Sequence, residues 1–253
     1  MTAISPPFAR RRPPAERIEP PSESKLQVVQ RVAEEQTVSV PAALARGRTG
    51  TYAAAVGLGG FMAIFALVRA RRSDEIDLAI MIRLQARQHP RLAAMMEAAS
   101  WPGFPPQSRV IPLGLACGLW LLRLRTEAAF QLLGWGTAAI STVVKAMIRR
   151  PRPLPEQVRV VLAPLGGSSF PSGHVITYVG TYGFLAYLAY TLTRPPQVRW
   201  PATVGLLGLI GVVGPSRIYQ GHHWPTDVAA SYLLGLTYLI ALTALYRRVR
   251  GSR

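Results

Sequence analysis

The chain has 253 residues, 49% of them hydrophobic and only 16% charged, with a formal net charge of +17. Its apolar residues gather into long blocks with arginines between them, which argues against a soluble globular domain and for a polytopic membrane protein with basic edges. The same charge would attract nucleic acid, but arginines flanking apolar spans are what anionic lipid surfaces select, so no nucleic-acid partner is expected. The single Cys117 excludes an intramolecular disulfide framework.

Residues 1–48 are rich in proline and charge and are predicted to form a disordered basic tail. The first apolar block begins near Thr51, so no cleavable leader is expected. Six apolar blocks follow, at about 51–68, 109–122, 127–144, 173–193, 200–215 and 227–246. They predict an all-α, polytopic membrane helical bundle of about six transmembrane helices over residues 49–248, with a short basic tail at 249–253. The second and fifth blocks are the shortest. Between the first two, Ile76, Ile80, Leu84, Leu92, Met95 and Met96 recur at helical spacing beside charges, which predicts interfacial amphipathic helices broken near Pro90. In the fifth block Gly205, Gly208, Gly211 and Gly214 are spaced by three, which suggests close helix packing. Arg123, Arg125, Arg194, Arg199, Arg247, Arg248, Arg250 and Arg253 share one side of such a bundle with the amino-terminal tail, and placing that side in the cytoplasm fits the positive-inside rule. Arg71, Arg72 and the cluster from Arg149 to Arg159 lie on the other side, so counting arginines does not by itself decide the orientation.

Three polar islands fall on the opposite side. The first, Lys145 to Pro153, ends the third block with a lysine and an Arg-Pro-Arg-Pro run, so several cations sit where prolines stiffen the helix exit. The second is Pro171-Ser172-Gly173-His174. Ser172 is a favourable N-cap, the helix start suits an anion, Gly173 permits close approach and His174 can exchange a proton near neutral pH. The third runs from Ser216 to Asp227. Pro225 suits the first turn of the sixth helix, and Asp227, four residues after His223, is placed to take its Nδ1 proton. Cations, two helix starts, histidines and one carboxylate together suit phosphoryl transfer, with one histidine attacking phosphorus and another protonating the leaving oxygen. Adjacency alone leaves open whether His222 or His223 attacks. No carboxylate cluster accompanies the histidines, so neither a metal site nor another cofactor is expected.

The islands resemble the three signature motifs of the type 2 phosphatidic-acid phosphatase family, the lipid phosphate phosphatases that share a site with vanadium haloperoxidases. Lys-x6-Arg-Pro is met by Lys145, Arg152 and Pro153; Pro-Ser-Gly-His by Pro171, Ser172, Gly173 and His174; and Ser-Arg-x5-His-x3-Asp by Ser216, Arg217, His223 and Asp227. The likeness selects His223 over His222. It implies that His223 is the nucleophile forming a phosphohistidine, that Asp227 orients it, and that His174 is the general acid. Lys145, Arg152, Ser172, Gly173 and Arg217 would bind the phosphate. Arg149 and Arg150 are extra cations for a second phosphate.

The resemblance implies a metal-independent membrane phosphatase whose partners are the bilayer and a lipid phosphate: phosphatidate, phosphatidylglycerophosphate or an isoprenyl diphosphate such as undecaprenyl diphosphate. The expected setting is a bacterial inner membrane, with both termini cytoplasmic and the site extracytoplasmic. A lipid-linked phosphotransferase using the same phosphohistidine is the near alternative. A non-catalytic lipid-phosphate transporter is the distant one.

Overall fold

In a computed structural model of the chain, the structure describes residues 25–36, 50–161, 163 and 165–251. The described residues form α-helices, with no strand and with one long connection, 148–172, between α7 and α8: α1 (Lys25–Gln36), α2 (Thr51–Arg69), α3 (Asp74–Gln85), α4 (Pro90–Ser100), α5 (Gln107–Leu121), α6 (Arg125–Trp135), α7 (Thr137–Met147), α8 (Gly173–Leu192), α9 (Pro196–Tyr219) and α10 (Pro225–Gly251). A 3-10 turn, Trp101–Gly103, links α4 to α5.

Among the described residues four helices, α2, α8, α9 and α10, are long and apolar enough to cross a membrane. The two other expected spans differ for local reasons. The second block is α5, whose 15 residues reach about 22 Å, short of a hydrocarbon core of about 30 Å. The third is interrupted at Gly136 and forms two short helices, α6 and α7. The fifth block, by contrast, extends at both ends into the 24 residues of α9.

Two tail boundaries are corrected. Residues 25–36 of the expected disordered segment are helical, because KLQVVQRVAEEQ contains good helix formers and neither glycine nor proline. The rest of that segment that precedes Gly50 lies outside the described residues. At the other end α10 continues through Gly251. Its Arg250 pairs there with Glu127, a fully buried carboxylate at the start of α6 that also accepts a 2.7 Å hydrogen bond from Tyr246 Oη.

α8 is the centre of the bundle, with 72% of its apolar window buried against 17% for α2 at the periphery. Around its start, Val175, Tyr178 and Tyr182 pack with Met81, Val213, Ile218, Trp224 and Val228. Toward its end, Phe184, Leu188 and Leu192 pack with Phe130, Leu242 and Tyr246. Close helix approach comes from glycines outside the fifth block. A Cβ at Gly180 would collide with the Gly134 carbonyl of α6, whereas Gly205, Gly208 and Gly211 face open space and only Gly214 is tightly packed.

The expected helices on either side of Pro90 are α3 and α4, with Pro90 at the first position of α4. They contribute more than an amphipathic surface, because Asp77, Gln85 and Ser100 are buried. The ends of α7 and α9 and the starts of α8 and α10 converge, so that Ser172 N donates to Ser231 Oγ at 2.7 Å and Arg152 Nη1 donates to the His222 carbonyl at 2.8 Å. The three polar islands meet there.

Candidate active site

His223 lies in the loop between α9 and α10 and is 2% exposed. Its Nδ1 is 2.7 Å from the Ser169 carbonyl oxygen. A carbonyl only accepts, so Nδ1 carries the proton and Nε2 presents a lone pair. Arg152 Nη1 is 3.4 Å from that Nε2.

The expected His223–Asp227 hydrogen bond is corrected. Asp227 Oδ2 is 3.6 Å from Nδ1 and instead accepts from the Trp224 amide at 2.9 Å, while Oδ1 accepts from Arg150 Nη1 at 2.7 Å. The carboxylate sits beside the imidazole, but the Ser169 carbonyl accepts the hydrogen bond from Nδ1–H.

Burial, together with the positive charges of Arg217, Arg152 and Lys145, holds His223 well below the ordinary imidazole pKa, so its ring is neutral near neutral pH. His222, also buried, is pushed down to about 4 by burial and by Arg217. Its Nε2 is occupied by the Val161 carbonyl at 2.7 Å.

His174 is the second residue of α8. Its ring meets Phe104 edge-on at 4.7 Å, and a Cβ at Gly103 would strike the imidazole. The His174 Nε2 is buried without a protein partner. Arg217, on the last turn of α9, is fully buried: Nη1 donates to Ser100 Oγ at 3.2 Å and Gln220 Oε1 at 3.0 Å, and its guanidinium lies 4.9 Å from the Phe104 ring centre. Its Nε and Nη2 have no protein partner. Lys145 Nζ donates to the Ser168 carbonyl at 2.8 Å, and Arg152 Nη2 donates to Gly166 at 3.0 Å.

Ser172 occupies the N-cap position of α8 but makes no capping bond with its side chain, and Ser172 Oγ is buried and unpartnered. The hydroxyl expected to cap the helix is therefore left for another acceptor or donor. Beside Gly173 a Cβ would touch only Ser141 Oγ, at 3.6 Å. Gly173, His174 and Lys145 line one cavity of about 320 Å³, with Arg109, Ser141 and Tyr182 among its other walls. Partnerless cationic and hydroxyl groups beside a helix start make a donor set suited to a tetrahedral oxyanion.

The reading of Arg150 as a cation for a second phosphate is overturned. Its guanidinium is buried and bonded to Asp77 at 2.6 Å and Asp227 at 2.7 Å. Burial works against its charge, yet the two carboxylates raise its pKa above the ordinary arginine value. Arg149 is exposed and borders an opening other than the cavity of His174.

Ser100, Phe104, Ser169 and Asp77 were not singled out from sequence. Phe104 stands in Trp101-Pro-Gly-Phe-Pro-Pro, a breaker-rich turn that is the single local hint. Ser169 acts through its carbonyl, which no side-chain pattern announces.

The sequence model of the PAP2 superfamily matches residues 127–250. The chain is 26% identical over 200 residues to phosphatidylglycerophosphatase B of Bacillus subtilis (strain 168), covering 76% of this chain and 94% of that one. It is 30% identical over 106 residues to undecaprenyl-diphosphatase BcrC of the same organism, covering 42% and 50%. Its fold is similar to the crystal structure of a transmembrane PAP2-type phosphatidylglycerolphosphate phosphatase from Bacillus subtilis, with a TM-score of 0.69 and 22% identity over 78% of this chain and 98% of the other. The match across α6 to α10, on a helical bundle with membrane-spanning helices, makes this chain an integral membrane protein whose residues 127–250 are a PAP2-superfamily segment.

Proposed function

We propose that the protein is a lipid phosphatase that works through a phosphohistidine without a divalent metal. The observation that carries this reading is the neutral His223, whose Nε2 lone pair is set among Arg152, Arg217 and Lys145.

In the proposed reaction the phosphate oxygens are held by Lys145, Arg152, Arg217, Ser172 Oγ and the amides at the start of α8. These cations supply the positive charge that phosphoryl transfer requires. His223 Nε2 attacks phosphorus as the bond to the lipid oxygen breaks. The bound dianion favours the protonated form of His174, which gives its proton to the departing oxygen. Water then attacks the phosphohistidine, His174 takes up a proton from that water, and the P–N bond breaks to release phosphate and neutral His223.

The leaving side of the substrate is assigned to the cavity that His174 lines. Arg109 in its wall favours a leaving group that carries a second phosphate, as in phosphatidylglycerophosphate or an isoprenyl diphosphate. The activities named for the two Bacillus relatives point the same way. The site is assigned to the extracytoplasmic side of a bacterial inner membrane. In support, Arg150 and Arg217 are buried within the site region and Arg152 bonds its loops, so they are not free surface charges that would draw this end to the cytoplasm.

The test is phosphate release by detergent-purified protein from phosphatidate, phosphatidylglycerophosphate and undecaprenyl diphosphate, with EDTA present and His223→Ala as control. Release that persists in EDTA and disappears in His223→Ala is the expected result. Activity that requires added divalent metal, or survives the loss of His223, overturns the mechanism.

A further inference from the structure

The buried charges of this end do not stop at Asp227. Asp77, fully buried on α3, is 150 positions before Asp227 and precedes the segment that the family model matches. Its Oδ2 accepts from Arg150 Nη2 at 2.6 Å and from Thr226 Oγ1 at 2.7 Å, and its Oδ1 accepts from the Thr226 amide at 2.9 Å. The last contact supplies, from another helix, an N-terminal cap for α10, the helix that carries Asp227.

Arg150 thus lies between the buried carboxylates of Asp77 and Asp227, with the more exposed Asp74 also on Nη2 at 3.2 Å, and 5.5 Å from the Trp224 ring centre. The division has a geometric consequence. An arginine with a single carboxylate partner tends to pair with both of its oxygens. Here Nη2 is taken by α3 and its N-terminus, most closely by Asp77 at 2.6 Å and more distantly by Asp74 and Ser73 at 3.2 Å, so Arg150 holds Asp227 by Oδ1 alone and leaves Oδ2 toward the Trp224 amide and the His223 ring.

We propose that Asp77 is a positioning residue for phosphoryl transfer, acting through Arg150 and the first turn of α10 to keep Asp227, and with it His223, in register. The proposal rests on the phosphatase reading above. Asp77 touches neither His223 nor the groups assigned to the phosphate, so its loss should slow the chemical step and leave anion binding intact.

The experiment combines Asp77→Asn, Asp227→Asn and the double variant, with Leu78→Ala as a control for the docking of α3 and His223→Ala as a control for the mechanism. Asp77→Asn is expected to lower kcat by about 10- to 100-fold, the usual cost of losing an outer-shell partner. KM and inhibition by inorganic phosphate should change by less than about twofold, because uniform binding is untouched. In the Asp227→Asn background the same substitution should cost less than about threefold, since residues acting through one network are non-additive. An unchanged kcat, a loss confined to KM and phosphate inhibition, an equal loss in both backgrounds, or the same loss in Leu78→Ala overturns the proposal. Full activity in His223→Ala overturns the phosphohistidine reading instead, and the control reports that separately.

Discussion

The His223 Nδ1–H donates a hydrogen bond to the backbone oxygen of Ser169 at 2.7 Å, while the Asp227 carboxylate stands 3.6 Å away and binds Arg150 and the Trp224 amide. The tautomer that exposes Nε2 is thus set by main chain, and the carboxylate contributes charge and placement. Asp227→Asn is accordingly expected to leave measurable turnover, with kcat lower by about 100-fold rather than the ~10⁴-fold seen where a carboxylate alone fixes the tautomer. His223→Ala should remove turnover altogether. Initial rates of phosphate release compare the two.

The depressed pKa of His223 sets the sign of the acid limb. Protonation at Nε2 removes the lone pair, and a group held below its ordinary value protonates only at more acidic pH. After correction for the ionisation of the substrate, kcat/KM should stay flat as pH falls through about 6.5, the free-imidazole value, and decline only below it. A limb centred at or above that value would mean that the cluster of Arg217, Arg152 and Lys145 does not act on the nucleophile.

In the proposed reaction the part expected of Arg150 passes to Arg109. Arg150 is committed to the carboxylates of Asp74, Asp77 and Asp227, whereas Arg109 lines the cavity of His174. Arg109→Ala should lower kcat/KM for a lipid diphosphate by about tenfold, or 1.4 kcal/mol. For phosphatidate the change should be less than about twofold, because its leaving group has no second phosphate to lose a partner. Equal effects on both substrates would exclude the cavity as the reader of that phosphate.

At the far end, Glu127 is buried and paired with Arg250 and Tyr246. Removing one member of such a pair leaves a buried charge uncompensated, at a cost of about 3–5 kcal/mol. Arg250→Ala should therefore lower the thermal unfolding midpoint in detergent. Activity per folded molecule should be kept, because the pair joins the start of α6 to the end of α10, away from His223.

Much of the architecture was readable because membrane helices declare themselves by length and hydropathy. The first, fourth, fifth and sixth blocks became α2, α8, α9 and α10. The third block was continuous in hydropathy yet broken at Gly136, since apolar character does not register a local break in the helix. The glycine spacing in α9 likewise suggested packing, but Gly205, Gly208 and Gly211 face open space. Spacing specifies a face of a helix without specifying what lies against it.

The chemistry divides along the same line. Sequence by itself determined which side chains sit at helix ends: Lys145 at the end of α7, Ser172 and His174 at the start of α8, Arg217 and Asp227 on either side of the His223 loop. Helix ends are local, and their caps and prolines are written within a few residues of the groups they place. Only the tertiary structure decided the partners. Ser169 acts through a carbonyl that every residue possesses, Asp77 reaches Arg150 and Thr226 from a distant helix, and Phe104 comes against both His174 and Arg217 from another loop. Those contacts depend on how the helices pack, and pairing between distant segments leaves no mark in the local pattern of one sequence.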